Sequence, residues 1–153
     1  MKKIYVILGI IFCQNIQAQD LSKSINDVSN KTQTELINWR RHFHEFPELS
    51  NREYNTGKYI ADYLNSLGLE VKYPIAKTGV LAILKGGKPG PNIGLRADID
   101  ALPVLERTPV SFASKVKAEY NGQQVNVMHA CGHDAHTAIL MATAKALKAM
   151  QKK

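Results

Sequence analysis

At Gly68 the spacing of apolar residues switches from helical to extended, and it returns to helical only at Asp134. The period of the apolar pattern decides which backbone can bury it, so the switch divides the chain into a helical start, an extended middle and a helical end. Before it, Leu36, Ile37, Trp39, Phe43 and His44 predict an amphipathic helix over about 32–45, stopped by Pro47. Ser50-Asn51-Arg52-Glu53 has the form of a capping box, in which the serine hydroxyl accepts from the Glu53 amide and the Glu53 carboxylate returns to the Ser50 amide. The helix it opens carries Tyr54, Tyr59, Ile60, Tyr63 and Leu64 and closes at Gly68.

The extended middle reads as a strand over 69–73, a second over 80–84 and a third over 93–97. The turn-rich run Lys85-Gly86-Gly87-Lys88-Pro89-Gly90-Pro91 separates the last two, which predicts a hairpin of two buried strands across 80–97. Residues 104–127 alternate weakly and read as loop, with a short hairpin at Tyr120-Asn121-Gly122. From Asp134 to Met150 an Ala-, Leu-, Met- and Lys-rich segment predicts a helix burying Ile139, Met141, Ala142, Ala144 and Leu147. This order gives an α/β fold, a mixed sheet flanked by helices, with strands of that sheet absent from the 153 residues. That length suits one domain and is too short for two.

The first residues obey other rules. A basic Met1-Lys2-Lys3 head, an apolar run from Ile4 to Cys13 and a polar stretch ending at the small Ala18 make a secretory signal peptide over 1–18. Export follows as the expectation, to the outside or to the periplasm, with no membrane span left after removal, because the apolar run is too short to cross a bilayer. Phe12 before Cys13 is too bulky to favour lipoprotein processing. Residues 19–34 read as a polar lead-in, and 35–153 as the folded unit. The net charge of +7 raises the question of nucleic acid, but 18 Lys+Arg against 13 Asp+Glu after residue 18 are spread along the chain without an aromatic-studded basic stripe. Nucleic acid is therefore not the expected partner. Without the leader, Cys131 is the one cysteine, so no internal disulfide is available to explain it.

Its neighbours offer an explanation. Met128-His129-Ala130-Cys131-Gly132-His133-Asp134-Ala135-His136 gathers three of the five histidines of the chain around that cysteine. An extended backbone over 129–133 would turn His129, Cys131 and His133 to one face, and Asp134 would cap the following helix. A thiolate with imidazoles suits a divalent ion, zinc above all. A cysteine–histidine nucleophilic pair and a closed structural zinc site are the competing chemical readings. A second group, Gly94-Leu95-Arg96-Ala97-Asp98-Ile99-Asp100-Ala101-Leu102-Pro103, places Asp98 and Asp100 at the end of a predicted strand, where α/β sheets put ligand sites. Asp98 is the stronger candidate for holding a metal-ligating histidine in orientation, ahead of Asp100 and Arg96. A third group, Arg40 to Ser50, contains His42 and His44 on different helical faces and reads as a helix end with a structured turn.

Taken together, Arg41-His42-Phe43-His44-Glu45-Phe46-Pro47-Glu48-Leu49-Ser50, the Gly94–Pro103 segment and the Met128–His136 segment resemble the M20 metallopeptidase superfamily. Within it, the similarity is to the amidohydrolases of N-acyl amino acids, hippurate and auxin conjugates. The resemblance implies that Cys131 and His133 are metal ligands, that Asp98 lies near the metals, and that a complete site holds two divalent ions, zinc or manganese. It also implies a small-molecule N-acyl amino acid or peptide substrate and a homodimer in the full-length form. The general-base glutamate, an adjacent ligand glutamate, two further histidines and an inserted dimerisation domain would all lie beyond Lys153. The expectation is thus a partial catalytic domain that is inactive alone; a short secreted non-catalytic metal-binding or interaction module is the other reading.

Overall fold

The computed structural model describes the backbone of residues 2–152 and the side chains of residues 21–152. The side chains of the expected signal peptide therefore lie outside the described residues. Helix α1 spans Lys2–Glu45, α2 Tyr54–Ser66 and α3 His133–Ala149. Between α2 and α3 lie strands β1 (Glu70–Ile75), β2 (Gly79–Ile83), β3 (Lys117–Tyr120) and β4 (Gln123–Asn126). Residues 21–31, expected as an irregular lead-in, are already helical, though most of them face solvent. Among the described side chains of α1, Thr32 is the first buried one, and the packed part of the helix follows it, as the apolar spacing predicts.

Helix α2 ends as expected, with Gly68 at φ 73° just past its C-cap. Its start differs. The capping box does not form: the Glu53 carboxylate accepts from the Asn51 amide at 2.9 Å and from the Thr78 hydroxyl at 2.6 Å. The free amides of the first turn are met by Glu48, whose carboxylate accepts from Asn55 N at 3.2 Å and Thr56 N at 2.7 Å. A carboxylate at a helix N-terminus also meets the positive end of the helix dipole.

Strands β1 and β2 pair antiparallel, Glu70 with Ile83, Val71 with Ala82 and Lys72 with Leu81, with a register shift before Ile75–Gly79. Strands β3 and β4 form a hairpin about Asn121 (φ 52°) and Gly122 (φ 76°), the pair of positive φ values that a two-residue turn needs. The expected 80–97 hairpin is absent. β2 turns back onto β1, and residues 91–100 form no strand, with Ile93 81% and Leu95 55% exposed. A strand apolar on both faces is stable only between partners, and none flanks this segment among the described residues.

The chain regains order at Ala101 and Leu102, which are held from both sides. Ala101 donates to Glu48 O at 2.8 Å, making a parallel bridge with Leu49, and Leu102 exchanges two 3.0 Å bonds with Met128. The main core joins α1 and α3 through Trp39, Phe43, Ala138 and Met141, with Ile60 and Leu64 of α2; a smaller core holds Leu49, Ala101 and Val127. The fully buried residues of α3 are Asp134, Thr137, Ala138 and Met141, spaced as one helical stripe. Of the expected face, Met141 is buried and Ala142 and Ala144 pack against the core, while Ile139 and Leu147 are exposed.

Candidate metal centre

The two bridges at Ala101 and Leu102 bring the two chemistry-bearing segments side by side. Asp98 and Asp100 precede Ala101, and His129 follows Met128. His133, the first residue of α3, turns its ring toward the first segment: Nδ1 lies 3.0 Å from both the carboxylate Oδ1 and the backbone oxygen of Asp100. Oxygens at that nitrogen favour the tautomer with the proton on Nδ1, which leaves the Nε2 lone pair free. Nε2 has no hydrogen bond closer than the Asp98 carboxylate at 4.0 Å. Asp98 is in turn held by Arg96, whose Nη2 and Nε donate to Oδ1 at 2.6 and 3.0 Å, and its backbone oxygen accepts from Thr137 Oγ1 at 3.2 Å. The partner that fixes the His133 ring is thus Asp100, while Asp98 faces the ring from the other nitrogen.

Cys131 is a free, exposed thiol. Gly132 at φ 94° breaks the extended run that would have aligned it with its neighbours, so His129, Cys131 and His133 do not share a face. His129 instead points inward, 5% exposed, with neither ring nitrogen hydrogen-bonded. Burial pushes its pKa down to about 4, the nearby carboxylates of Asp134 and Asp100 opposing the shift and the His44 and His133 rings adding to it. His136 is exposed, its ring centroid 5.8 Å from that of His133. Among the described residues no group of three or more His, Cys, Asp or Glu side chains is gathered closely enough to hold a metal ion. The chemistry of the donors nevertheless fits a divalent ion: an open thiol and an imidazole whose far nitrogen is held by a carboxylate are what such ions bind.

Behind this face lies a polar network that the sequence did not disclose. His44 is 4% exposed, and its Nδ1 lies 2.7 Å from Asp134 Oδ2 and its Nε2 2.8 Å from Glu106 Oε1. Arg40 Nε adds a 3.0 Å contact to the same Asp134 oxygen. A neutral imidazole has only one N–H, so both bonds together need a further proton on the ring or on a carboxyl group. Burial raises the Glu106 pKa, but hydrogen bonds from Thr108, His44 and the Ser114 amide outweigh it and hold the carboxyl below its usual range. Asp134 therefore does not cap α3, as its position suggested; Gly132 stands at the cap, and the carboxylate reaches across to α1. Its partner 90 residues away leaves no local signal in the sequence.

Residues 94–153 match the model of Peptidase family M20/M25/M40. The chain is 44% identical over 132 residues to N-acetyl-L-cysteine deacetylase of Bacillus subtilis, covering 86% of this chain and 30% of that protein. It is 45% identical over 123 residues to Thermostable carboxypeptidase 1 of Saccharolobus solfataricus, covering 80% of this chain and 29% of that one. A crystal structure of a dinuclear metal-binding peptidase of the M20 family from Bacillus subtilis superposes with a TM-score of 0.71 at 46% identity, covering 80% of this chain and 32% of that one. The chain spans about 30% of the length of the proteins it matches. No helix among the described residues is long and apolar enough to cross a membrane.

Proposed function

We propose, from the premise that this chain belongs to the M20/M25/M40 peptidase family, that it supplies part of the metal centre of an amidohydrolase. The reaction is hydrolysis of the amide bond of an N-acyl amino acid or a small peptide. The observation that carries this reading is the state of His133: its Nδ1 is engaged by Asp100 and its Nε2 is left free beside Asp98. Cys131 and His133 would hold the metal, with zinc favoured over manganese by the thiolate. A bound divalent ion supplies Lewis acidity toward the amide carbonyl and makes its water a stronger acid.

The protein's own groups prepare that centre. Asp100 fixes the His133 ring and makes its free nitrogen a better donor. Arg96 holds the Asp98 carboxylate through its Oδ1, with Oδ2 on the side of His133. The chain covers about 30% of the length of its relatives, and the proton-accepting base and the rest of a two-ion ligand set are assigned to the part of that length it does not cover. The 153 residues alone should then bind metal weakly and hydrolyse nothing. A homodimer in the full-length protein and export directed by residues 1–18 complete the reading.

The substrates named for two relatives, an N-acetyl amino acid and a peptide C-terminus, share an amide next to a carboxylate. Assays of the full-length protein against N-acetyl amino acids and dipeptides should give hydrolysis that a chelator abolishes and that Cys131→Ser and His133→Ala each remove. The 153-residue chain should give none. Hydrolysis that survives both substitutions would overturn the assignment, and chelator-resistant turnover blocked by alkylating Cys131 would replace it with a cysteine nucleophile.

A further inference from the structure

The two segments that face each other at His133 are both moored to one side chain of α1. His44 reaches Asp134, the residue after His133, through Nδ1, and Glu106, six residues after Asp100, through Nε2. Resting on the metal-site reading above, we propose that His44, with Arg40, is a positioning residue that sets the distance between His133 and the Asp98–Asp100 segment and so the metal affinity of the site.

Three observations carry this. The first is burial. His44 is 4% and Asp134 1% exposed, and the Glu106 side chain is 1% exposed, so none of these bonds can be exchanged for water without moving an element. A buried charge that loses its partner forces rearrangement in a way that a surface pair does not. The second is connectivity. The 91–100 segment has no strand pairing of its own, so its placement depends on the bridges at Ala101 and Leu102 and on the Glu106 anchor beyond them. Glu106 itself is held at several points, by His44, the Thr108 hydroxyl and the Ser114 amide, and transmits the position of His44 to the whole 98–106 run. The third is the packing of the hub. Phe112 stands edge-on to the His44 ring at 5.7 Å between centroids, and the Arg40 and Arg41 guanidinium groups each lie 5.2 Å from the Phe112 centroid. The contact with Phe112 therefore adds to the bonds at both nitrogens in holding the His44 ring, and both carboxylates are addressed from one point.

The two nitrogens can be tested apart. Asparagine places its amide nitrogen near the position of Nδ1, and glutamine near that of Nε2. His44→Asn should keep the bond to Asp134 and lose the one to Glu106; His44→Gln should do the reverse. Zinc or cobalt affinity of the full-length protein is measured by competition with a chromophoric chelator, together with the thiolate-to-cobalt absorption that reports Cys131 as a ligand. Both variants should bind metal about tenfold or more weakly, the scale for losing a group that supports a ligand. Leu64→Ala, which opens a cavity in the main core outside the hub, should lower Tm and leave affinity unchanged. If neither His44 variant folds, Arg40→Gln removes one of the two contacts to Asp134 from a partly exposed position and should weaken metal binding severalfold.

Wild-type affinity in both folded His44 variants, or in Arg40→Gln where those do not fold, overturns the positioning role and leaves the metal-site reading intact. Wild-type protein that binds neither metal, or binds cobalt without the thiolate band, overturns the metal-site reading itself. Loss of Tm and of affinity in equal measure across all variants, Leu64→Ala included, reduces His44 to a structural residue and also overturns the proposal.

Discussion

Gly57→Ala should destabilise the protein, although alanine is the better helix former. Gly57 lies within α2 and is buried, and α2 crosses the β1–β2 turn at that point. A Cβ built on Gly57 would meet the backbone oxygen of Thr78 at 2.4 Å and Tyr73 Cε2 at 2.7 Å. An ordinary carbon–oxygen contact needs roughly an ångström more than the first of these, and a backbone oxygen cannot swing aside as a side-chain tip can. Helix and hairpin must separate, which disturbs the Thr78–Glu53 bond at 2.6 Å and the Tyr73–Tyr54 bond at 2.7 Å. Overpacking of this kind costs about 1–3 kcal/mol, against a gain of about 1 kcal/mol from helix propensity. With the two strained or lost hydrogen bonds added at about 1 kcal/mol each, the net is a loss of about 2–4 kcal/mol. Urea unfolding followed by circular dichroism at 222 nm (a wavelength that reports helix) should give a lower midpoint with an unchanged slope. A midpoint raised by the amount expected of an open helical site would refute the close approach of α2 to the turn.

Two other substitutions read different parts of the structure. Tyr63 keeps a buried hydroxyl without a hydrogen-bond partner, and desolvation, helped by Glu35 and Tyr59, pushes its pKa up to about 12 from 10.0. The unfolded chain then releases the Tyr63 proton before the folded one does, so stability contributed below pH 10.0 is lost as pH rises toward 12; Tyr63→Phe should abolish that alkaline component in pH-dependent melts and should not weaken the protein at pH 7. Asp134→Ala would leave His44 and Arg40 without their shared acceptor, and chemical denaturation should show a loss of about 3–5 kcal/mol, well beyond an ordinary surface change.

The sequence was most legible where a few neighbouring residues decide the outcome. Asn121-Gly122 produced its turn because both residues accept positive φ, and Gly68 ended α2 for the same reason. The histidine-rich stretch around Cys131 carried a resemblance to the M20 family that agrees with the family match and with the superposed peptidase. Legibility failed wherever the deciding partner is distant. Glu48 displaced Ser50 in serving the start of α2, because the chain folds back through Pro47 and carries that carboxylate to the Asn55 and Thr56 amides. The Ile93–Ala97 strand was read from its apolar run, yet a run of that kind needs flanking strands and finds none among the described residues. His44 looked like part of a helix end because its two carboxylates lie 62 and 90 residues away. On α3 the expectation held for Met141, Ala142 and Ala144 and missed the polar end of the buried face, since hydrophobicity alone gives no cause to bury Asp134.

The claim on which the account rests is that Cys131 and His133 ligate a metal. X-ray absorption at the zinc edge of the full-length protein, wild type beside Cys131→Ser, addresses it directly. The account predicts a zinc–sulfur shell at about 2.3 Å in the wild type, gone in the variant, with nitrogen or oxygen scatterers remaining in both. Zinc surrounded only by nitrogen and oxygen in the wild type would contradict it.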